Sequence, residues 1–255
     1  MTGLLGQIIG QKNARALHQN YNAFRRQLLP KREIEQSVLP KLIEPGFTAF
    51  EVGANYGQYL CDLSPLVGSD GEIHAFEPAE ITFNCLARIC RLRGLKNVTL
   101  HHMALSDAAG TAELHTPIKP NGKFGVAQAS LGRESDVQNV TEIIRMETMD
   151  AMVAQHNIEK LDFVRCDVEG AELKVLQGGV ETIKNYRPIF LMEVHPPMLP
   201  MFGHSEADVN AFFKDNDYFA YRVDGNRLRQ VPELDLDNFF FFPVEKSDKA
   251  AAITF

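Results

Sequence analysis

The chain has 255 residues, 45% of them hydrophobic and 23% charged, the composition of a globular protein that buries a core without staples and not that of a disordered one. A formal net charge of −7 argues against a general nucleic-acid binder, because affinity for phosphate backbones needs clustered Lys and Arg. No apolar run approaches the ~20 residues of a membrane helix, and MTGLLGQIIGQKNAR lacks the basic start and apolar stretch of a secretory signal, so no transmembrane segment and a cytoplasmic location are expected.

Residues 1–41 carry seven Lys and Arg against Glu33 and Glu35, so a basic segment precedes an acidic remainder. Leu17, Tyr21, Phe24 and Leu28 fall on one stripe of an amphipathic helix, and Pro30 and Pro40 break the segment into short helical pieces. Residues 1–45 are therefore expected to form an N-terminal helical cap. Its basic face is either a solvated surface or a lid or docking surface for an anionic substrate or a partner. A main domain over 46–245 and a tail over 246–255 follow.

From Phe47 onward strand and helix signals alternate. Strands are expected over Phe47–Val52, Glu72–Phe76, Val98–His102, Leu161–Cys166, Ile189–Val194, Tyr218–Val223 and Phe239–Phe242. Helices are expected over Tyr56–Leu66, over Ile81–Arg93 before Gly94, from Ala171 to Gln177, and from the cap Ser205 to about Asp215. Repeated strand–helix units imply a doubly wound, mostly parallel α/β sheet. Lys119–Val140 is rich in Gly, Asn, Gln and Ser and reads as a long inserted loop. The four cysteines lack Cys-x-x-Cys and zinc-site spacing and read as reduced thiols.

Four motifs carry chemistry. In Phe50-Glu51-Val52-Gly53-Ala54-Asn55-Tyr56-Gly57, the glycines permit a sharp strand-to-helix turn. Glu51 would repel a pyrophosphate there but suits an ammonium group, and the central glycine of a dinucleotide fingerprint is missing. Glu77 ends the second strand twenty residues after Gly57, where a carboxylate can accept both hydroxyls of an adenosine ribose. Asp167, Glu169 and Glu172 crowd the end of the fourth strand. Like charges this close raise at least one pKa, which serves a general base, although Glu172 suits a structural role at a helix start. Glu193 and His195 project the same way from the strand expected alongside. His195 is either a base or a structural partner of the Pro-rich loop that follows.

These blocks (EPGFTAFEVGANYGQYL, GEIHAFEPAEITFNCL, NVTLHHMALSDAAGTAEL, and DFVRCDVEGAELKVLQGG with PIFLMEVH) resemble the FkbM family of class I methyltransferases from about Glu35 to Pro243. The family usually has Asp where this chain has Glu51, and Lys is common at Arg165; both changes keep the charge. The resemblance implies a Rossmann-like seven-stranded sheet with an antiparallel last strand, S-adenosyl-L-methionine as methyl donor, and hydroxyl acceptors on sugars, glycans or natural products. Carried over by position, it implies that Glu51, Gly53, Ala54, Asn55 and Gly57 hold the methionine end and Glu77 the ribose. Ala104 and Asp107, in the turn Ala104–Asp107, would border the adenine, although Asp107 also reads as part of a plain turn. Asp167, Glu169, Glu193 and His195 would face the acceptor, with Asp167 or His195 as base. A Mg²⁺-assisted version would draw on Asp167, Glu169 and Glu193; no metal ligand is assigned. Two rivals remain at this level: a methyltransferase-like binding protein without turnover, and a nicotinamide-dependent oxidoreductase, against which Glu51 and the missing glycine count.

Overall fold

Apolar runs too short for helices pair as strands, and the segments between them coil back over the two sheet faces. The computed structural model describes residues 32–117, 130 and 131, 139–235 and 237–255. A 3₁₀ turn over Ile34–Ser37 and helix α1 (Leu39–Leu42) lead into β1 (Thr48–Val52), α2 (Leu60–Val67), β2 (Glu72–Phe76), α3 (Glu80–Arg93) and β3 (Val98–His101). There follow β4 (Ala104–Leu105), β5 (Gly110–Pro117), β6 (Ser130–Leu131), β7 (Asn139–Glu147), α4 (Met149–Gln155), β8 (Phe163–Cys166), α5 (Glu172–Gln177), α6 (Val180–Tyr186) and β9 (Ile189–Val194). The chain closes with α7 (Glu206–Asp215), β10 (Tyr218–Asp224), β11 (Arg227–Val231), β12 (Asp237–Pro243) and α8 (Ser247–Ala252). Among the described residues no helix is long and apolar enough to cross a membrane.

The main sheet runs β11-β10-β12-β9-β8-β1-β2-β3. Strands β1, β2, β3, β8 and β9 pair in parallel, and β12 runs antiparallel between β9 and β10. The expected antiparallel strand is there, but among the described residues the sheet has eight strands and not seven. The eighth is β11, which returns along β10 through Gly225-Asn226, a pair suited to a two-residue hairpin turn.

Burial on both faces explains the largely apolar strands: every residue of β1 and β8 is buried, Glu51 and Arg165 included. Alternate residues feed two cores. Phe50, Val52, Val164, Phe190 and Phe241 pack with α4–α7 residues such as Met152, Leu176 and Phe213 on one face. Ala49, Phe163, Leu191 and Phe240 pack on the other with Leu39, Leu60 and Leu63, and Ala250 and Ile253 of the 246–255 segment join them. Helix ends follow their capping chemistry. Gly94 closes α3 in the left-handed conformation, and Ser205 and Asp208 form a capping box on α7.

A second sheet, β4-β7-β5-β6, was not anticipated. Antiparallel β5 and β7 face each other from Gly110↔Met146 to Pro117↔Asn139, and Leu114 and Ile144 pack on Ala79 at the start of α3. Within the interval read as the Lys119–Val140 loop, Ser130 and Leu131 form β6, and Asn139 and Val140 open β7. The rest of that loop, and residues 1–31 of the expected cap, lie outside the described residues.

Candidate active site

The chain winds outward from β1 in one direction through β2 and β3, and in the other through β8 and β9. At such a switch point the C-terminal strand ends leave a crevice. Here it is a cavity of about 330 Å³, a size suited to a small-molecule ligand.

Register decides which side chains enter it. Glu51 pairs with Arg165 across β1 and β8, and Cys166 pairs with Met192 across β8 and β9. Asp167 and Glu193 follow that last pair by one residue, so they stand side by side. Glu51, Arg165 and Glu193 each lie two residues beyond a member of one core, Ala49, Phe163 and Leu191. They therefore project to the same face.

Gly53 holds the turn after β1. Its φ is +78°, and a Cβ there would sit 1.9 Å from the Asp167 carbonyl oxygen. The glycine is thus demanded by the close approach of two strand ends. The turn brings the Asn55 N–H to Glu77 Oε2 at 2.8 Å, while Glu77 Oε1 accepts from the Ala79 N–H at 2.9 Å and the Thr82 hydroxyl at 2.6 Å. Burial pushes the Glu77 pKa up, and these donors hold it back.

Arg165 organises the opposite side. It is 7% exposed, reaches Asp167 Oδ2 at 2.5 Å and the Gly53 carbonyl at 3.3 Å, and lies 4.6 Å over the Tyr59 ring. Burial works against the Asp167 carboxylate, but Arg165 and the hydrogen bond shared with Glu193 hold its pKa low. Burial and Asp167 together push Glu193 well up, so this pair retains one proton at neutral pH. Burial likewise raises Glu51 to about 8, against the pull of Arg165, and Glu51 Oε2 is buried with no partner among the described residues. Burial and Asp167 lift Glu169 to about 7. Glu169 sits at φ +54°, a strained conformation for a non-glycine residue, with its Oε2 3.8 Å from His195 Nδ1.

Of the residues picked out by sequence, Glu51, Gly53, Ala54, Asn55, Glu77, Ala104, Asp167, Glu169 and Glu193 line the cavity. Gly57, Asp107 and His195 do not. Gly57 packs toward Leu86, Asp107 pairs with Lys174 at 2.9 Å, and His195 neighbours Glu169. Glu172 accepts the Val168 and Gly170 N–H groups, the structural role expected of it. Sequence reading missed the lining residues Glu33, Tyr59 and Leu114, and treated Arg165 only as a charge-conserving change. One signal was available: an Arg inside the apolar run FVRC, two residues before an Asp, needs a buried anion. Among the described residues no three His, Cys, Asp or Glu side chains converge to hold a metal ion.

The model of the methyltransferase FkbM domain matches residues 51–220. Hexuronic acid methyltransferase AglP of Haloferax volcanii is 26% identical over 170 residues, 65% of this chain and 64% of its own length. Methyltransferase sdnD of Sordaria araneosa is 27% identical over 153 residues, 50% of this chain and 58% of its own. The chain thus spans about three fifths of these curated relatives. The crystal structure of methyltransferase FkbM from Methylobacillus flagellatus aligns with 88% of this chain and 59% of its own at 16% identity and a TM-score of 0.49.

Proposed function

Because the chain belongs to the FkbM methyltransferase family, we propose that it transfers the methyl group of S-adenosylmethionine to a hydroxyl of a sugar, glycan or natural-product acceptor. The observation that carries this reading is the cavity lined by Glu51, Glu77 and Asp167 at the strand ends. Its chemistry fits the cofactor. The partnerless Glu51 Oε2 suits an ammonium, Glu77 suits ribose hydroxyls, and the two acids disfavour a pyrophosphate beside them.

The bound cofactor supplies a methyl already activated by its sulfonium. The chain's task is to seat the acceptor oxygen and take its proton as the new bond forms. Asp167 is the base. An oxygen that is acquiring a methyl group is far more acidic than a carboxylic acid, so a carboxylate held low by Arg165 still accepts its proton. Glu193, protonated, fixes the orientation of Asp167. Glu169 and His195, both partly exposed, pass the proton outward.

Titration calorimetry tests the cofactor and a labelled-methyl screen against fractionated glycans, nucleotide sugars and small metabolites tests the reaction. S-adenosylmethionine and S-adenosylhomocysteine should bind while NAD and NADP do not; the reverse preference ends the reading.

A further inference from the structure

One wall of the cavity comes from outside the family-matched residues. Glu33 belongs to the segment ahead of β1, yet it lines the cavity with Glu51, Gly53, Tyr59 and Arg165. Its Oε2 accepts from the Tyr59 hydroxyl at 2.8 Å and its Oε1 from Gln58 Nε2 at 3.1 Å. The segment is fastened down on either side of it. Arg32 pairs with Asp62 at 2.9 Å, Gln36 Nε2 reaches the other Asp62 oxygen at 2.5 Å, and Val38, Leu39 and Leu42 are buried in the core.

Glu33 shares its surroundings with Glu51. Both carboxylates act on Arg165, strengthening its hold on its proton, and Glu33 also pushes the Glu51 pKa upward. Two carboxylates beside one guanidinium, with the Glu51 Oε2 buried and partnerless, are the complement of an α-amino acid zwitterion. The acids match an ammonium, and the guanidinium matches the neighbouring carboxylate. On the far side, Glu77 and Ala104 line the part of the cavity built from β2 and the second sheet.

We infer that Glu33 is a further cofactor-binding residue of this chain, which together with Glu51 receives the ammonium of the cofactor's amino-acid end. This rests on the cofactor reading above and adds to it a contact from the N-terminal segment. Ligand uptake is thereby tied to the docking of residues 32–43: the carboxylate that meets the ammonium also holds Gln58 and Tyr59 of the turn.

The test separates the two ends of the ligand. S-adenosylhomocysteine carries the amino-acid end, whereas 5′-methylthioadenosine keeps the adenosine and sulfur and lacks it. Calorimetry on the full chain should show Glu33→Gln, which retains an acceptor for Tyr59 and loses the charge, binding S-adenosylhomocysteine about tenfold more weakly. Its affinity for 5′-methylthioadenosine should stay within about twofold of the wild type's, because that ligand makes no ammonium contact. Tyr59→Phe, which removes one bond steering Glu33, should show the same selectivity with a smaller loss, and it decides the matter if Glu33→Gln does not fold. Unchanged binding of S-adenosylhomocysteine, or equal loss for both ligands, would overturn the inference and leave Glu33 as a latch for the turn. A wild-type chain that binds neither ligand would instead refute the cofactor reading, and the inference with it.

Discussion

Replacing Arg165 by Met should cost more stability than any contact count suggests, because it strands a charge. The guanidinium is 7% exposed and sits against Asp167, whose side chain is 24% exposed. Breaking a buried ion pair by removing one partner costs about 3–5 kcal/mol, and the partial exposure of Asp167 points to the lower end, roughly 3 kcal/mol. For a chain of this size that is a fall in Tm of roughly 6–12 °C. The sign with pH follows from linkage. Arg165 holds Asp167 below its ordinary 3.8, so the pair's contribution is complete above that value and is lost as pH falls through the lower, folded-state value. The gap between wild type and Arg165→Met should be widest at neutral pH and narrow below about pH 4. Adding Asp167→Asn removes the stranded charge, and the double variant should recover much of the loss. Chemical denaturation of the four proteins at pH 7 and pH 3.5 supplies the cycle. A cost under about 1 kcal/mol at pH 7, the range of an exposed pair, or no recovery in the double variant, would refute the picture of Arg165 as the counter-charge of Asp167.

Asp167→Asn alone should lower turnover by about 10²–10⁴ while S-adenosylhomocysteine affinity changes little; near-normal turnover on a verified acceptor would make the carboxyl pair structural. Gly178→Ala should destabilise by roughly 1–3 kcal/mol, since a Cβ there would lie 2.0 Å from the Ser106 carbonyl oxygen although φ is an ordinary −78°; an unchanged urea midpoint would count against this. His101 is buried, and burial, reinforced by His74 and His156, lowers its pKa from 6.5 to about 4. The unfolded chain therefore takes up a proton that the folded chain refuses. Stability should decline between about pH 6.5 and 4 by roughly 3 kcal/mol, and His101→Phe should flatten that slope; parallel slopes in the two proteins would sink the assignment.

The alternation of strands and helices was legible because most main-sheet strands are short apolar runs closed by a turn, and because β1, β8 and β9 are buried on both faces; β11, Arg-Leu-Arg-Gln-Val on the sheet edge, carries no such run. The second sheet was hidden. Its long strands, β5 and β7, are separated by a polar interval, and Ile143 and Ile144 stand next to each other with one exposed and the other buried, which blurs the two-residue period. Strand-end acids were visible from position alone, since register follows from a parallel sheet. The Arg165 contacts were not: they depend on Tyr59 and Gly53, brought across from another strand's turn, and spacing along the chain carries no record of that meeting. Asp107 shows the converse. The turn was visible in the sequence, but the Asp107 side chain is taken up by Lys174 and does not line the cavity.

Strand β12 has a consequence for biogenesis. It leaves the ribosome after the other strands of the main sheet, yet it lies between β9 and β10, and its four phenylalanines, each 0% exposed, complete both cores at once: Phe239 and Phe241 on one face, Phe240 and Phe242 on the other. Until it arrives, β9 has an open edge, the β10–β11 hairpin has no sheet to join, and both apolar layers face water. An open edge beside the uncharged run NFFFF is a template for cross-β pairing between nascent copies. Asp235 and Asp237 before the run, and Glu245 and Lys246 after it, stand where charges discourage that stacking. The yield of soluble protein should therefore turn on how quickly β12 is captured, more than on the equilibrium stability of the finished fold.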